Sequence, residues 1–367
     1  IHNEMRKHGI KLVLGYTVEG FKEKDNGVEI LLKDNPSLQS DMVVLAIGVT
    51  PDTALAKEAG LELGIKRSIV VNDRMETSVP DIYAAGDAVQ VKHYVTGDDA
   101  LISLAGSANK QGRIIADNIC GGDSRYLGSQ GSSVIKVFDM TAATTGINET
   151  NAKKSGLDVD TVILSPMSHA GYYPGGKVMT MKVVFEKETY RLLGAQIIGY
   201  EGVDKRIDVL ATAIHAGLKA TQLKDLDLAY APPYSSAKDP VNMAGFMIDN
   251  IAKGTLKQWH LEDMDKISKD NSVVLLDVRT VGEFNRGHMD GFKNIPVDEL
   301  RERINEIEKG KPVYLICQSG LRSYIASRIL EGNGYETYNF SGGFRFYDAV
   351  VNDRALIERA YVCGMDY

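Results

Sequence analysis

Cysteine is scarce in this chain. Cys120, Cys317 and Cys363 are the three cysteines among 367 residues. An odd, small number argues against a disulfide framework and for a reducing compartment, here the cytoplasm. No cysteine pair or Cys/His cluster has the spacing of a zinc site, so no metal is expected.

Long apolar runs and blocks of one charge are also missing. No run approaches the ~18 apolar residues that cross a bilayer. The net charge is −7, with both signs interspersed, so neither nucleic acid nor a membrane is an expected partner. Apolar residues make up 44% of the chain, enough for a core in each of several domains.

The chain starts without a methionine or a signal-peptide pattern. Residues 1–8 have the pattern of a helix end, with Gly9 as the stop signal. We therefore expect an N-terminally truncated fragment of a longer protein.

The first 125 residues alternate strand and helix signals. Residues 42–47 are a continuous apolar run, which is typical of a strand buried on both faces. Further strands are predicted at 11–17, 28–33, 69–71 and 82–85, and helices at 52–59 and 105–119.

Two further blocks follow, joined by an expected linker at 252–262 that contains the lone Trp259. The first predicts antiparallel strands at 134–138, 162–164, 178–185 and 192–198, with helices at 204–215, 221–226 and 239–251. The second has the α/β alternation of a small parallel sheet, with strands at 273–277, 313–317 and 336–339 and helices at 281–286, 297–308, 323–331 and 344–350.

Cys317 stands at the end of a predicted strand, in a short loop before a helix. Several backbone N–H groups of such a loop can point at one centre and favour an anion there, either a thiolate or a persulfide. Arg322 adds a positive charge that can hold an anionic sulfur donor. The loop is Cys317-Gln318-Ser319-Gly320-Leu321-Arg322-Ser323.

Motifs around this loop resemble the rhodanese family over about residues 263–350. In order they are Leu276-Asp277-Val278-Arg279, Glu283-Phe284, Gly287-His288-Met289-Asp290-Gly291, Asn294-Ile295-Pro296 and Ser341-Gly342-Gly343. The resemblance implies that Cys317 is a sulfur-carrying nucleophile, with Gln318, Ser319, Gly320, Leu321 and Ser323 as its persulfide loop. It also implies structural roles for Asp277, Arg279, Glu283 and His288. Related phosphatases have a loop one residue longer, so this loop should fit sulfur better than phosphate.

A second set of motifs resembles the pyridine nucleotide-disulfide oxidoreductases. The segment 77–87, ending in Ala85-Gly86-Asp87, is similar to that family's second FAD fingerprint, and 44–52 to its exit from the NAD(P)H domain. The resemblance implies FAD and NAD(P)H as cofactors. The residues expected to contact them are Gly48, Gly86, Asp87, Ala105, Ala108 and Pro232.

The segment 228–240 lacks the His-Pro pair of many members of that family. This departure resembles the coenzyme A-disulfide reductases, persulfide reductases and NADH oxidases. It implies that Tyr173 (or Tyr172) and Tyr230 or Tyr234 reach the partner subunit's active site and donate to a leaving thiolate. His169, nearby, is expected in a surface loop.

The predicted architecture is α/β and α+β multidomain. Residues 1–50 and 51–125 are the C-terminal parts of NAD(P)- and FAD-binding Rossmann-like domains, 126–251 an α+β dimerisation domain forming a homodimer, and 263–367 an α/β rhodanese domain. The implied activity of the intact protein is FAD- and NAD(P)H-dependent reduction of coenzyme A disulfide, coenzyme A persulfide or polysulfide, coupled to sulfur carried on Cys317.

Two alternatives stay open: an NADH oxidase with a passenger rhodanese domain, and a non-enzymatic persulfide carrier or thiosulfate sulfurtransferase. The first GxGxxG and the upstream redox cysteine of the family are absent from these residues, and Cys120 is no candidate for that cysteine. These residues alone are therefore not expected to run the reductase cycle.

Overall fold

The computed structural model describes the backbone of residues 1–362 and the side chains of residues 1–356. Cys363 and the last residues of the predicted 263–367 domain lie outside this part. The chain divides into two compact units. Of the described residues, the first unit comprises 2–90, 105–126 and 352–362, and the second comprises Ile1, 91–104 and 127–351.

The first unit contains a three-stranded antiparallel meander with strand order β1-β2-β3. A two-residue turn joins β1 to β2, and β2 confirms the strand predicted at 28–33. The predicted helix at 105–119 is present with the same bounds. The elements are α1 (His2–Lys7), β1 (Val18–Lys24), β2 (Gly27–Leu32), β3 (Leu38–Ser40), α2 (Ala54–Glu58) and α3 (Ala105–Ile119).

Four strands predicted in this unit are absent from the described structure. The segment 42–47 pairs with no described strand, and its side chains are exposed, 77% for Val44 and 89% for Ile47. An apolar run without a neighbouring strand has neither hydrogen-bond partners nor cover, so the prediction of a doubly buried strand is wrong. Residues 11–17 are likewise unpaired, and 69–71 and 82–85 form only isolated bridges.

The second unit begins with a small hairpin and a five-stranded antiparallel sheet of order β6-β7-β10-β9-β8. The predicted strands are confirmed to within a few residues, but β7 was missed because its alanines and threonines give no apolar alternation. The predicted helix at 221–226 is a 3-10 helix, Ala220–Asp225. The elements are β4 (Val91–Lys92), β5 (Asp99–Ala100), β6 (Ser133–Val137), β7 (Met140–Gly146), α4 (Glu149–Lys154), β8 (Val159–Leu164), β9 (Thr180–Glu186), β10 (Leu192–Gly199), α5 (Val203–His215) and α6 (Pro240–Ala252).

Helices α5 and α6 cover one face of this sheet. Met181, Val183 and Ile197 from the strands meet Leu210 and Ile248 from the helices, and all five are fully buried. This core supports the segment 228–240 between α5 and α6, which contains Tyr230 and Tyr234 and is called the tyrosine-bearing segment below.

A five-stranded parallel sheet of order β11-β15-β14-β12-β13 completes the second unit. Its central strand β14 lies between β12 and β15, and Leu315 and Ile316 on it are fully buried. The elements are β11 (Gln258–Trp259), α7 (Met264–Ile267), β12 (Val274–Asp277), α8 (Val281–Arg286), β13 (Lys293–Asn294), β14 (Val313–Ile316), α9 (Leu321–Glu331), β15 (Thr337–Phe340) and α10 (Gly343–Val362).

Two predictions in this region need correction. Strand β11 pairs with β15, and Trp259 is 2% exposed with its indole N–H donated to Leu315 O at 3.3 Å. The second half of 252–262 therefore belongs to the sheet and not to a linker. The predicted helix at 297–308 consists of turns and a 3-10 helix, Ile304–Glu306. Leu300 and Ile307 alone are buried there, which is too few for a helical apolar stripe.

No helix among residues 1–362 combines the length and the apolar composition that crossing a bilayer requires.

Candidate functional site

Cys317 directly follows β14, at the carboxyl end of the parallel sheet. Ligand sites in open parallel sheets lie at this end of the strands. Helix α9 begins at Leu321, and Cys317 itself is 1% exposed. The sulfur is thus held in a short, nearly closed loop between the central strand and a helix N-terminus.

Two donors point at the sulfur. Cys317 Sγ accepts the Gly320 N–H at 3.1 Å, and the Ser323 hydroxyl lies within hydrogen-bond distance of both Cys317 Sγ, at 3.2 Å, and Gly320 O, at 3.1 Å. Gly320 has a φ of 99°, a left-handed conformation that suits glycine and turns its N–H back into the loop. Hydrogen bonds to an ionised acceptor are stronger than those to a neutral one, so these donors can stabilise a negatively charged sulfur, such as that of a persulfide.

The start of α10 supports the loop from the other side. The N–H groups of Phe344 and Arg345 are donated to the carbonyl oxygens of Cys317 and Gln318, at 2.8 and 3.2 Å. Gly343 has a φ of 68°, and a Cβ there would lie 2.7 Å from Gln318 O. Gly343 of the Ser341-Gly342-Gly343 motif is therefore required for close packing against the loop.

Arg322 is bound to Glu283 and not directed at the sulfur. Its two terminal nitrogens donate to the two carboxylate oxygens, each at 2.7 Å. The Arg322 guanidinium lowers the pKa of Glu283 to about 2, and the pairing raises the pKa of Arg322. Arg322 thus joins α9 to α8 in this structure, which differs from its expected role of holding a sulfur donor.

The other motif residues hold the domain together, as the rhodanese resemblance implied. Asp277 and Arg279 form a buried ion pair at 2.6 Å. The Arg279 guanidinium also donates to Gly287 O at 2.8 Å and lies 3.8 Å from the centre of the Phe344 ring. His288 stacks on Phe284 with a centroid distance of 3.9 Å.

A cleft of about 500 Å³ lies beside the loop and was not anticipated from the sequence. Two of its arginines, Arg286 and Arg345, stand next to recognised motifs: Arg286 ends α8, and Arg345 follows the glycine pair. Their position next to these motifs was the one feature of the sequence that could have indicated this cleft. The lining residues are Arg279, Glu283, Arg286, Gly287, Gln318, Phe344, Arg345 and Asp348.

The predicted tyrosines are brought together only in part. Tyr230 and Tyr234 line a second cleft, of about 530 Å³. The hydroxyls of Tyr172 and Tyr230 lie 2.7 Å apart, and this hydrogen bond raises the pKa of Tyr230. Tyr173 does not line the cleft and instead meets the His169 ring edge-on, at a centroid distance of 5.6 Å.

His169 corrects a prediction, because it is 5% exposed and not a surface-loop residue. Its Nδ1 lies 3.1 Å from Ala170 O. A short polar turn gave the impression of a surface loop, but the turn packs beneath the tyrosine-bearing segment.

A buried ion pair fixes that segment. Arg206 and Asp239 are 1% and 2% exposed and contact each other at 2.9 Å. Arg206 also donates to the carbonyl oxygen of Ser168 at 2.9 Å and to the Ser235 hydroxyl at 3.1 Å. The sequence showed Asp239 only as the residue before a helix-starting proline, so its buried partner could not be foreseen.

In the first unit, the predicted flavin residues lie at one place. Gly86 has a φ of 84° and donates its N–H to Gln111 Oε1 at 2.7 Å, which ties the turn to α3. A Cβ on Gly86 would lie 3.9 Å from that of Ala108, and Asp87 and Ala105 are exposed.

Two other residues were assigned to cofactor binding from the sequence. Gly48 belongs to the exposed, unpaired segment 42–49. Pro232 is half-buried in the tyrosine-bearing segment of the second unit. Their assignment to a cofactor stays a prediction.

Comparison with known families matches the chain in three parts. Residues 1–112 match the pyridine nucleotide-disulphide oxidoreductase family, and residues 132–240 match the dimerisation domain of that family. These two matches cover more than half of the chain. Residues 260–349 match a rhodanese-like domain.

Known proteins are similar to this chain over different shares of its length. The NAD(P)H sulfur oxidoreductase (CoA-dependent) of Pyrococcus furiosus is 39% identical over 214 residues, 58% of this chain and 48% of that protein. The structure of reduced Bacillus anthracis CoADR-RHD is 45% identical, with a TM-score of 0.92 over 96% of this chain and 63% of that chain. An NAD-dependent persulfide reductase from A. fulgidus is 40% identical, with a TM-score of 0.85 over 94% and 63%. The chain spans about half the length of the curated relatives that it matches.

Proposed function

We propose that Cys317 carries sulfane sulfur as a persulfide. The chain belongs to the pyridine nucleotide-disulphide oxidoreductase family, and Cys317 lies in its rhodanese-like domain. In the intact protein, this carrier is coupled to an NAD(P)H-dependent reductase of coenzyme A disulfide, coenzyme A persulfide or polysulfide. The names of similar proteins, a CoA-dependent sulfur oxidoreductase and a persulfide reductase, support the reductase part.

The observation that carries the proposal is the pair of donors on Cys317 Sγ. The Gly320 N–H and the Ser323 hydroxyl favour an anionic sulfur at the end of a buried strand. A thiolate is the nucleophile in attack on sulfur. A buried structural cysteine would not need a glycine in a left-handed conformation to direct an N–H at it.

The transfer step follows from this geometry. The Cys317 thiolate attacks the terminal sulfur of a donor persulfide and forms a new S–S bond. The old S–S bond breaks, and its electron pair leaves on the donor's inner sulfur. That sulfur takes up the proton of the donor persulfide and departs as a thiol. No net oxidation occurs, and the loop then holds a persulfide.

The tyrosine cleft is proposed to serve the reductase half. The Tyr230 hydroxyl, whose pKa the Tyr172 hydrogen bond raises, can donate to a leaving thiolate. The Arg206–Asp239 pair holds the backbone that carries this tyrosine.

We further propose that residues 126–251 form a homodimer, which the dimerisation-domain match supports.

The residues of the first unit fit part of a flavin dinucleotide. Gly86, in a left-handed conformation, and the small residues Ala105 and Ala108 leave room for a ligand, and the exposed Asp87 carboxylate can accept from sugar hydroxyls. FAD, when bound there, would supply the two-electron chemistry that links NAD(P)H to disulfide reduction. The N-terminus of α3 would place backbone N–H groups near it.

The sulfur-carrier proposal is tested by sulfur transfer from thiosulfate to cyanide. The Cys317→Ser variant should lose the activity, whereas Cys120→Ser, at the exposed cysteine ending the α3 region, should keep it. Transfer that persists in Cys317→Ser would overturn the proposal.

The reductase proposal is tested on the intact protein. NAD(P)H oxidation should be faster with coenzyme A persulfide or coenzyme A disulfide than with oxygen as the acceptor. Faster turnover with oxygen would favour an oxidase, and normal reduction of all sulfur acceptors in Cys317→Ser would show that the two halves work independently.

A further inference from the structure

Four arginines of the described residues lie in the Cys317 loop or beside it, and two of them are paired with carboxylates. Arg279 is paired with Asp277 inside the domain, and Arg322 is paired with Glu283. Their charges are therefore largely committed to holding the fold. Arg279 is 1% exposed, and both terminal nitrogens of Arg322 donate to Glu283.

The other two arginines are placed differently. Arg286 and Arg345 are exposed, line the cleft beside the loop, and form no ion pair within the described residues. Among the lining residues that the structure describes, Asp348 is the one carboxylate apart from Glu283, which Arg322 binds. The lining thus has a net positive charge, close to Gln318, the residue that follows the nucleophile Cys317.

The dimensions of the cleft indicate what kind of anion it takes. About 500 Å³ falls in the range of pockets that hold ligands much larger than a small inorganic anion. The planar guanidinium fork matches phosphate oxygens in a bidentate manner. Gln318 lines the cleft and neighbours Cys317, so a ligand held there has its reactive end next to the sulfur.

We propose that Arg286 and Arg345 bind the phosphate-bearing part of a thiol persulfide while its terminal sulfur is presented to Cys317. This inference rests on the proposed sulfur-carrier function of Cys317. Selection of the sulfur donor is thereby assigned to residues outside the 317–323 loop. Arg286 and Arg345 take the anion-binding role that the sequence had suggested for Arg322. The transfer step is the balanced one described above, with the donor leaving as a thiol.

The test compares two donors that share one reactive arm. Coenzyme A persulfide carries phosphates, and pantetheine persulfide has the same thiol arm without them. Sulfur transfer to cyanide is measured with the full chain. The double variant Arg286→Ala/Arg345→Ala should raise the KM for coenzyme A persulfide at least about tenfold, because each lost charge-assisted hydrogen bond weakens binding by roughly that factor. Its kcat, and both constants for pantetheine persulfide, should stay as in the wild type.

Arg301→Ala is the matched control. Arg301 is an exposed arginine of the same domain that lines a different cleft, and its removal should change neither KM. The double lysine variant, Arg286→Lys/Arg345→Lys, should recover part of the preference, since the charge remains and the bidentate geometry is lost.

The outcomes separate the two proposals. Activity of Cys317→Ser with pantetheine persulfide would overturn the sulfur-carrier function. An inactive Cys317→Ser together with an unchanged KM for coenzyme A persulfide in the double alanine variant would overturn the arginine site alone. An equal rise in KM for both donors would also overturn it, because pantetheine persulfide carries no phosphate.

Discussion

The segment that leads to Cys317 and the segment that leads to Gly48 are both apolar runs, but they have opposite environments. Strand β14 lies between two strands, and Leu315 and Ile316 are fully buried. Residues 42–49 pair with no described strand, and Ile47 is 89% exposed. The difference shows that neighbouring strands, which supply hydrogen bonds and cover, decide whether an apolar run becomes a strand.

The largest contrast is expected from the same substitution in both segments. Ile316→Asp places a charge in a fully buried site and should cost more than about 5 kcal/mol, enough to unfold the rhodanese-like domain. Ile47→Asp should change the free energy of unfolding by less than about 0.5 kcal/mol, since the side chain is already in water.

Denaturant unfolding measures both variants. Trp259 is the single tryptophan of the chain and is buried in the parallel sheet, so its fluorescence reports on that domain. Far-ultraviolet circular dichroism reports on the whole chain. A marked loss of stability in Ile47→Asp would show that the 42–49 segment is covered in solution.

A second prediction concerns the buried pair beneath the Cys317 loop. Arg279→Ala leaves Asp277 as an uncompensated buried charge and should destabilise the domain by about 3–5 kcal/mol. The midpoint of the Trp259 transition in denaturant measures this. Arg303→Ala, which breaks exposed ion pairs of the same domain, is the control and should have little effect. Equal midpoints for the two variants would contradict the structural role of Arg279.

A third prediction tests the donors on the sulfur. Ser323→Ala removes one hydrogen bond to an anionic sulfur, worth about 1.5–3 kcal/mol, and should slow sulfur transfer at least about tenfold. Ser327→Ala is the matched control, because Ser327 is also buried on α9 but donates to Tyr324 O. If both variants transfer sulfur at the wild-type rate, the hydroxyl has no part in the reaction.

The smallest effect is expected at the Glu283–Arg322 pair. The pKa of Glu283 lies at about 2 in the folded protein against an ordinary value of 4.5. A lowered carboxyl pKa stabilises the fold above the ordinary value, and this contribution is lost as the pH falls from 4.5 towards 2. Since the pair is partly exposed, it should be worth about 1 kcal/mol.

Unfolding of the wild type and of Glu283→Gln over a pH series measures this contribution. The difference between them should be largest near neutral pH and should shrink through the acidic window. A difference that does not vary with pH would contradict the pairing.

The sequence predicted the parts of the fold that depend on local signals. Helix α3 and helix α8 have the predicted bounds, because each has clear end signals. The loop at Cys317 was predicted from contiguous residues, and Gly320 and Ser323 do contact the sulfur. Such features depend on residues that are neighbours in the chain.

Features that depend on distant partners were not predicted. Trp259 was assigned to a linker, because its strand partner β15 lies far along the chain. Arg322 was given an anion-binding role, since the sequence could not show that Glu283 would bind it. The cleft between Arg286 and Arg345 likewise requires α8 and α10 to meet at the loop. These features depend on contacts between residues that are far apart in the chain, and such contacts cannot be predicted from the local patterns of one sequence.

The most direct test of the central claim is the mass of the protein after incubation with a sulfane sulfur donor and removal of the excess. The protein should gain one sulfur atom that maps to the peptide of Cys317, is released by cyanide, and is absent in Cys317→Ser. A sulfur atom found on Cys120 instead, or a full gain retained in Cys317→Ser, would contradict it.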